Sequence, residues 1–314
     1  MFGRLLKISI SDTVGNSLVL VDSVNRKYRD YLCKGTIERF PGSQKDCLTL
    51  TIYNLDPVIR GEISVGTYSI IRVDFGYEDE GGLMTTIFEG QIMRPQHRRK
   101  DEVTDATIIY AYDSGQFKTY GFFSKTYMDG TNYYDIAQDI LKKGNVQISY
   151  ALSEKLKQYT VKGSETFYGS QDELLEGIAD KCGLTYKTEN NVARIFGNSD
   201  TLEEVIVFSK TLNNGRVISE SGLIGIPTLS TDGLYLKCLV NPKLKVYSHF
   251  KISNSIISND WNVAIPNVSA GGQLSSSGHY KVIKLTTYFS NDGEQNYTDI
   301  KAVSVDIYEA VANG

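Results

Sequence analysis

Residues 48–92 read LTLTIYNLDPVIRGEISVGTYSIIRVDFGYEDEGGLMTTIFEGQI, and their periodicity decides the fold class. Leu48, Leu50 and Ile52 alternate with Thr49, Thr51 and Tyr53, and Ile71, Val73 and Phe75 alternate with Arg72 and Asp74. A period of two puts every second side chain on one face, so both runs are expected to be strands with one buried face. Asn54 to Pro57 supplies a turn, and Gly81-Gly82 closes a hairpin with the acidic tip Glu78, Asp79 and Glu80. Upstream, Leu6, Ile8 and Ile10 alternate with Lys7 and Ser9, and Pro41-Gly42 marks another turn. Strands at this spacing, with no strong helix between them, predict a β-barrel or sandwich over residues 1–117.

The pattern changes after Gly115. In DGTNYYDIAQDILKKGN (129–145), Tyr133, Ile136, Ala137, Ile140 and Leu141 share one helical face, with Thr131 as N-cap. In SQDELLEGIADKCG (170–183), Leu175, Ile178, Ala179 and Cys182 form the apolar stripe. Ser170 and Glu173 have capping-box spacing, and Gly183 suits the C′ position. A strand follows each helix, VQISY (146–150) and LTYKT (184–188), so residues 118–204 read as a small α+β insert. From 205 to 314 the period of two returns. Leu234, Leu236, Cys238 and Val240 oppose Tyr235 and Lys237, and Val303, Val305 and Ile307 oppose Ser304 and Asp306. The expected class is mainly β with an α+β insert between two β-domains.

Composition narrows the function. The 314 residues suffice for two or three domains, and 41% hydrophobic content is that of a globular chain. The 21 tyrosines suit half-buried sheet faces and interfaces. A net charge of -4 excludes a broad footprint for wrapping nucleic acid, which needs clustered cations. The basic run HRRK (97–100) is followed at once by Asp101 and Glu102 and reads as a solvated hairpin end. Cys33, Cys47, Cys182 and Cys238 lack CxxC spacing and read as buried thiols of a reducing cytoplasm. The N-terminal MFGRLLKISISD alternates, so neither a signal peptide nor a membrane span is expected there.

Catalytic patterns are absent from the sequence: there is no Gly-x-Ser-x-Gly elbow, no HExxH and no P-loop. His97, His249 and His279 stand far apart. Asp172, Glu173, Glu176 and Asp180 are expected on the solvent face of their helix, and Glu78, Asp79 and Glu80 lack EF-hand spacing. No catalytic residue, cofactor or metal ligand is expected, and the chain reads as a non-enzyme.

One further stretch, SGLIGIPTLSTDGLYLKCLVNP (221–242), has backbone freedom but no nucleophile, base or ligand. It reads as a docking edge and structural joint, with the strand from Leu234 to Val240 available to build an assembly.

The order of these pieces resembles the baseplate hub proteins of phage tails. Asn54, Leu55, Gly76, Tyr77, Phe88, Gly90 and Ile92 match that family's first domain. YAYDSGQF (110–117) is similar to its Asp-Gly boundary, with Ser114 as a departure between Asp113 and Gly115. Gly222, Leu223, Ile224, Gly225 and Pro227 match the start of its second barrel, and SGHYKVIKLTTYFSNDGEQNYTDIKA (277–302) its last hairpin. Where the family has a glycine, this chain has Val246-Tyr247.

The resemblance implies two tail-tube-like β-domains flanking the insert, in a homotrimer whose six barrels form a pseudo-six-fold ring. Such a ring joins the hexameric tail tube to a trimeric spike or fibre and leaves a conduit through which DNA passes without specific binding. The acidic loop Glu78, Asp79 and Glu80 is then a candidate lumen lining. The implied location is the virion baseplate, after assembly in the host bacterial cytoplasm and without membrane insertion. Two other readings stay open: a carbohydrate- or receptor-binding β-module, allowed by the Tyr-rich KTYGFFSKTYMDGTNYY (118–134), and a cell-wall glycan hydrolase.

Overall fold

The computed structural model describes residues 3–24, 31–78, 82–93, 95–197, 206–208, 211–213, 216–218, 222–252, 257–259, 278–293 and 295–305. The chain forms two compact units, Met1–Tyr31 with Gly42–Asp200, and Leu32–Pro41 with Thr201–Gly314. It is mainly β with a small α+β portion, and its sheets are open rather than closed into barrels.

In the first unit, six antiparallel strands lie in the order Ser17–Asp22, Arg4–Ser11, Ile70–Tyr77, Met84–Ile92, Asp105–Asp113, Cys47–Tyr53. The alternation in the sequence is the alternation in burial: Leu48, Leu50, Ile52, Ile71, Val73 and Phe75 are each fully buried. Each such apolar residue stabilises the sheet by about 1.5–3 kcal/mol relative to exposure. The expected hairpin of residues 70–92 forms, with Gly76 opposite Met84. The expected solvated basic end forms too, as the exposed strand Gln96–Arg99 on Asp105–Asp113. Between Cys47–Tyr53 and Ile70–Tyr77 lies the helix Pro57–Ser64, whose N-cap Asp56 accepts from the Val58 amide and whose first turn carries Pro57.

The α+β part of this unit has its own core. Helices Tyr133–Lys143 and Gln171–Lys181 bury Ile136, Ile140, Leu175 and Ile178 against Phe167, Tyr186 and Ile195. The predicted apolar stripes are the buried ones, except that Tyr133 is only half-buried. Details at the helix starts differ. Asn132, not Thr131, caps the first helix, because its Oδ1 accepts from the Asp135 amide at 2.9 Å. Ser170 is the N-cap of the second without a side-chain capping bond, and the Gln171 amide donates instead to the Gly121 carbonyl at 3.1 Å. The strands flanking these helices are Ser149–Leu152, Thr185–Glu189 and Val192–Phe196 in one sheet, and Phe122–Tyr127 with Glu165–Ser170 in a two-stranded ribbon.

The second unit carries a sheet in the order Cys33–Arg39, His279–Ser290, Tyr297–Ser304, Gly233–Leu239, Leu223–Ser230, Ser258–Asn259. His249–Ile252 adds to His279–Ser290, and Ile206–Phe208 runs parallel to it. Leu234, Leu236, Cys238 and Val240 are buried, as their alternation predicts. The free cysteines Cys33, Cys182 and Cys238 are buried and Cys47 is half-buried. No helix among the described residues is long and apolar enough to cross a membrane.

Candidate functional site

The positions singled out in residues 48–92 sit where the sheet is tightest. Asn54 adopts a left-handed φ of 51° and clasps Asp105 twice, its amide donating to the Asp105 carbonyl at 2.8 Å and its Oδ1 accepting the Asp105 amide at 2.9 Å. Leu55 beside it is buried. A Cβ on Gly76 would stand 2.3 Å from the Leu83 carbonyl, and one on Gly90 2.6 Å from the Tyr112 carbonyl. Only glycine admits such close backbone approach. Tyr77 packs edge-on to Phe75 at 5.4 Å, while Phe88 is buried and Ile92 half-buried. Of the acidic tip, Glu78 is exposed and its amide donates to the Gly3 carbonyl at 2.8 Å. Asp79 and Glu80 lie outside the described residues.

Residues 222–230 form a bulged strand. Ile224 faces Lys237 and Thr228 faces Tyr235, so Gly225, Ile226 and Pro227 together oppose Leu236 alone. Gly222 and Gly225 have φ of 73° and 69°, and Pro227, which cannot donate to a ladder, falls within the bulge. Leu223 and Pro227 point inward, whereas Ile226 is 69% exposed. Ile226 walls an open groove of 580 Å³ that Tyr235, Lys237, Lys284, Asp299 and Lys301 also line. Charges there are matched: Lys237 to Asp299 at 3.6 Å, Lys284 to Glu38 at 3.5 Å, Lys301 to Asp232 at 2.6 Å. Hydrogen bonds from Lys301 and Tyr235 hold the Asp232 carboxyl below its ordinary pKa. The groove thus presents an apolar wall beside charges that are paired with one another.

A second cluster was not anticipated from sequence. In the first unit Lys187 Nζ pairs with Asp46 Oδ1 at 2.7 Å, and the two side chains are only 4% and 1% exposed. Next to it, Asp113 accepts from the Asn190 amide at 2.7 Å, the Asn191 amide at 3.3 Å and the Ser114 hydroxyl at 2.8 Å. Glu89 exchanges bonds with the same turn, its amide donating to Asn190 Oδ1 at 3.1 Å and its Oε1 accepting from Asn191 Nδ2 at 3.0 Å. The hairpin of Thr185–Glu189 and Val192–Phe196 is thus pinned by its tip to the six-stranded sheet. Burial, reinforced by the Asp46 charge, raises the Asp113 pKa to about 6. Burial and then the Lys187 charge lower that of Lys118 nearby. The signal that could have located the turn is Asn190-Asn191 between two alternating runs, since both take positive φ, 49° and 58°.

Asp172 belongs to this polar interior and not to the solvent face expected of it. It is 6% exposed and accepts from the Tyr186 hydroxyl at 2.6 Å and the Thr188 hydroxyl at 3.2 Å. The first helical turn faces the strand Thr185–Glu189, so a carboxylate there finds hydroxyl donors in place of water. Burial, and then the Asp172 charge, raises the Tyr186 phenol well above its usual pKa.

A serine–histidine contact also exists, Ser64 Oγ to His97 Nε2 at 3.0 Å, with Thr107 Oγ1 3.3 Å from Nδ1. Ser64 donates to the Arg60 carbonyl at 2.8 Å. Nε2 is therefore the protonated nitrogen donating to Ser64, which leaves no lone pair to activate the hydroxyl. Burial and the Arg60 charge lower the His97 pKa, in keeping with a neutral ring. Among the described residues no cluster of His, Cys, Asp and Glu is arranged to hold a metal ion.

No protein-family model matches the sequence, and no curated protein matches it. Solved structures do match in fold. A tail protein from Neisseria meningitidis MC58 superposes with a TM-score of 0.60 over 99% of each chain, at 9% identity. The 43 kDa tail protein of prophage MuSo2 from Shewanella oneidensis superposes at 0.58 over 97% of this chain and 98% of that one, at 10% identity. The fold is that of phage tail proteins. A chain of the half-lidded Francisella PdpA–VgrG complex shares it, with a TM-score of 0.53 and 9% identity, over 98% of this chain and 58% of the longer one.

Proposed function

We propose that this tail-protein fold serves as a baseplate hub at the distal end of a phage tail tube. One observation carries the reading: the likeness to two tail proteins, one of them from a prophage, runs over almost the whole length of all three chains. In this reading the chain is a homotrimer, and residues 1–117, 118–204 and 205–314 act as first tube-like domain, insert and second tube-like domain. Paired β-domains make a pseudo-six-fold ring that meets the tube protein above and a spike, fibre or wedge protein around or below. The conduit passes DNA. The net charge of -4 suits that role, because a chain without an excess of cations retains phosphates little. Glu78, Asp79 and Glu80 are the proposed lumen loop. Asn54, Leu55, Gly76, Tyr77, Gly90, Gly222, Leu223, Gly225 and Pro227 are proposed to shape the sheets that build the ring, with Ile226 as the outward contact. The match in fold to a PdpA–VgrG chain supports spike-type partners.

Mass photometry of the purified chain, alone and with tail tube protein, tests this. Trimers that cap tubes are the expected result, and a strict monomer that never caps a tube refutes it.

A further inference from the structure

The two-stranded ribbon of the insert has an unusual outer face. Phe122–Tyr127 and Glu165–Ser170 pair in the register Phe122 with Ser170, Ser124 with Tyr168, Thr126 with Thr166. Phe123, Tyr127 and Phe167 enter the core, so these six residues share the opposite face. None of the six is charged, although 22% of the chain is. Phe122 is 43% and Tyr168 71% exposed, and their rings meet edge to face at 5.1 Å and 88°. Next along the ribbon, the Thr126 and Thr166 hydroxyls are 2.8 Å apart. Lys125 is turned away from this face, its ammonium 2.5 Å from Asp139 and 4.5 Å from the centre of the Tyr127 ring.

We propose that this face binds a neutral oligosaccharide. Three physical points select that occupant. Exposed rings that are not packed on the protein's own core are available to the C–H face of a sugar, through the same apolar surface that drives aromatic burial. Neighbouring serine and threonine hydroxyls donate and accept at once, which matches the hydroxyl edge of a sugar. A face without a cation offers an anionic glycan no compensation for lost hydration.

Size argues against a folded protein as occupant. Six residues of strand extend about 20 Å, and two strands about 10 Å across, giving roughly 200 Å². A stable protein interface takes about 800 Å² from each partner. An extended chain of a few sugar rings fits the smaller patch. The site stands independently of the hub reading, since it needs neither a ring nor a tube.

The test uses the full chain with an N-acetylglucosamine hexasaccharide and maltohexaose as neutral probes, and an oligogalacturonate of equal length as charged control. Saturation-transfer NMR and calorimetry read binding. The expected result is sub-millimolar binding of a neutral probe, weakened about tenfold in Tyr168→Ser and in Phe122→Ser. Both residues are surface-exposed, and Thr126→Val tests the hydroxyl end should either aromatic variant fail to fold. Absence of neutral binding at millimolar concentration, equal affinity in the variants, or tighter binding of the oligogalacturonate overturns the proposal. A change of oligomeric state in Tyr168→Ser without saccharide binding also overturns it, by assigning the face to a protein contact.

Discussion

The Lys281 ammonium lies 5.0 Å from the centre of the Tyr247 ring, and Tyr247 is held in a left-handed backbone with φ of 71°. This is the Val246-Tyr247 site at which the sequence departs from the glycine that its resemblance to hub proteins implies. Left-handed backbone costs a non-glycine residue about 1–2 kcal/mol. The Tyr247 amide donates to the Val282 carbonyl at 2.8 Å, and the ring is 8% exposed, so burial and the cation offset the strain. Tyr247→Gly should lower stability by about 1–2 kcal/mol. Tyr247→Ala, which keeps the strain and loses the ring, should lower it by about 1 kcal/mol more. Urea unfolding of the two variants measures the order, and an alanine variant as stable as the glycine one would show that the backbone is unstrained.

Ser114 repeats the arrangement between Asp113 and Gly115. Its φ of 52° and ψ of 31° are left-handed, and its hydroxyl donates to Asp113 at 2.8 Å. Ser114→Gly trades a hydrogen bond to a carboxylate for relief of strain and should change stability by less than about 1 kcal/mol. Ser114→Ala loses the bond and keeps the strain, a deficit of about 2 kcal/mol. Thermal denaturation of the pair separates the two contributions.

Asp113 makes the first unit sensitive to pH. Burial, and then Asp46, raises its pKa to about 6 from 3.8. The folded state therefore binds this proton more tightly than the unfolded chain. The stabilisation is full below pH 3.8 and is lost as pH rises through about 6. The span is worth on the order of 2–3 kcal/mol. Asp113→Asn should remove that slope, so the difference in unfolding free energy between variant and parent should change between pH 4 and pH 7. A parallel pH dependence in both proteins would exclude Asp113 as its source.

The Asp46–Lys187 pair predicts strong coupling. Removing one partner leaves a buried uncompensated charge, so Lys187→Met or Asp46→Leu alone should cost about 3–5 kcal/mol. The double variant should lose much less than the sum. A double-mutant cycle reads the difference, and additive losses would mean that water reaches the pair.

The exposed bulge gives a prediction about assembly. Ile226→Asp places a charge on an already solvated side chain, so the melting temperature should hold within about 2 °C. Association with tube protein should fall at least tenfold in the proposed hub. Unchanged capping of tubes would remove the bulge from the docking surface.

The legible parts of the sequence were those governed by local periodicity. Leu48, Leu50 and Ile52, or Leu175 and Ile178, announce their elements because one face of each is buried whatever it packs against. Gly76, Gly90 and Gly222 announce positions where backbone approaches closely or turns left-handed. The buried joint was not legible because its partners are remote: Lys187 reaches an aspartate 141 positions earlier. Asp172 misled for a related reason. Its helical position is polar by pattern, but hydroxyls on a later strand make an interior site tolerable for a carboxylate.

The strand Cys33–Arg39 has a consequence for the order of synthesis. It is made long before His279–Ser290, with which it pairs, and the Cys33 amide donates to Asn291 Oδ1 across 258 positions at 2.9 Å. At about 5–20 residues per second, that strand waits roughly 10–50 s on the ribosome before its partner emerges. Until then the groups it presents to His279–Ser290 lack that ladder. The second unit therefore closes only after the residues of the first have been made, and a fragment starting at residue 201 lacks the strand that pairs with His279–Ser290.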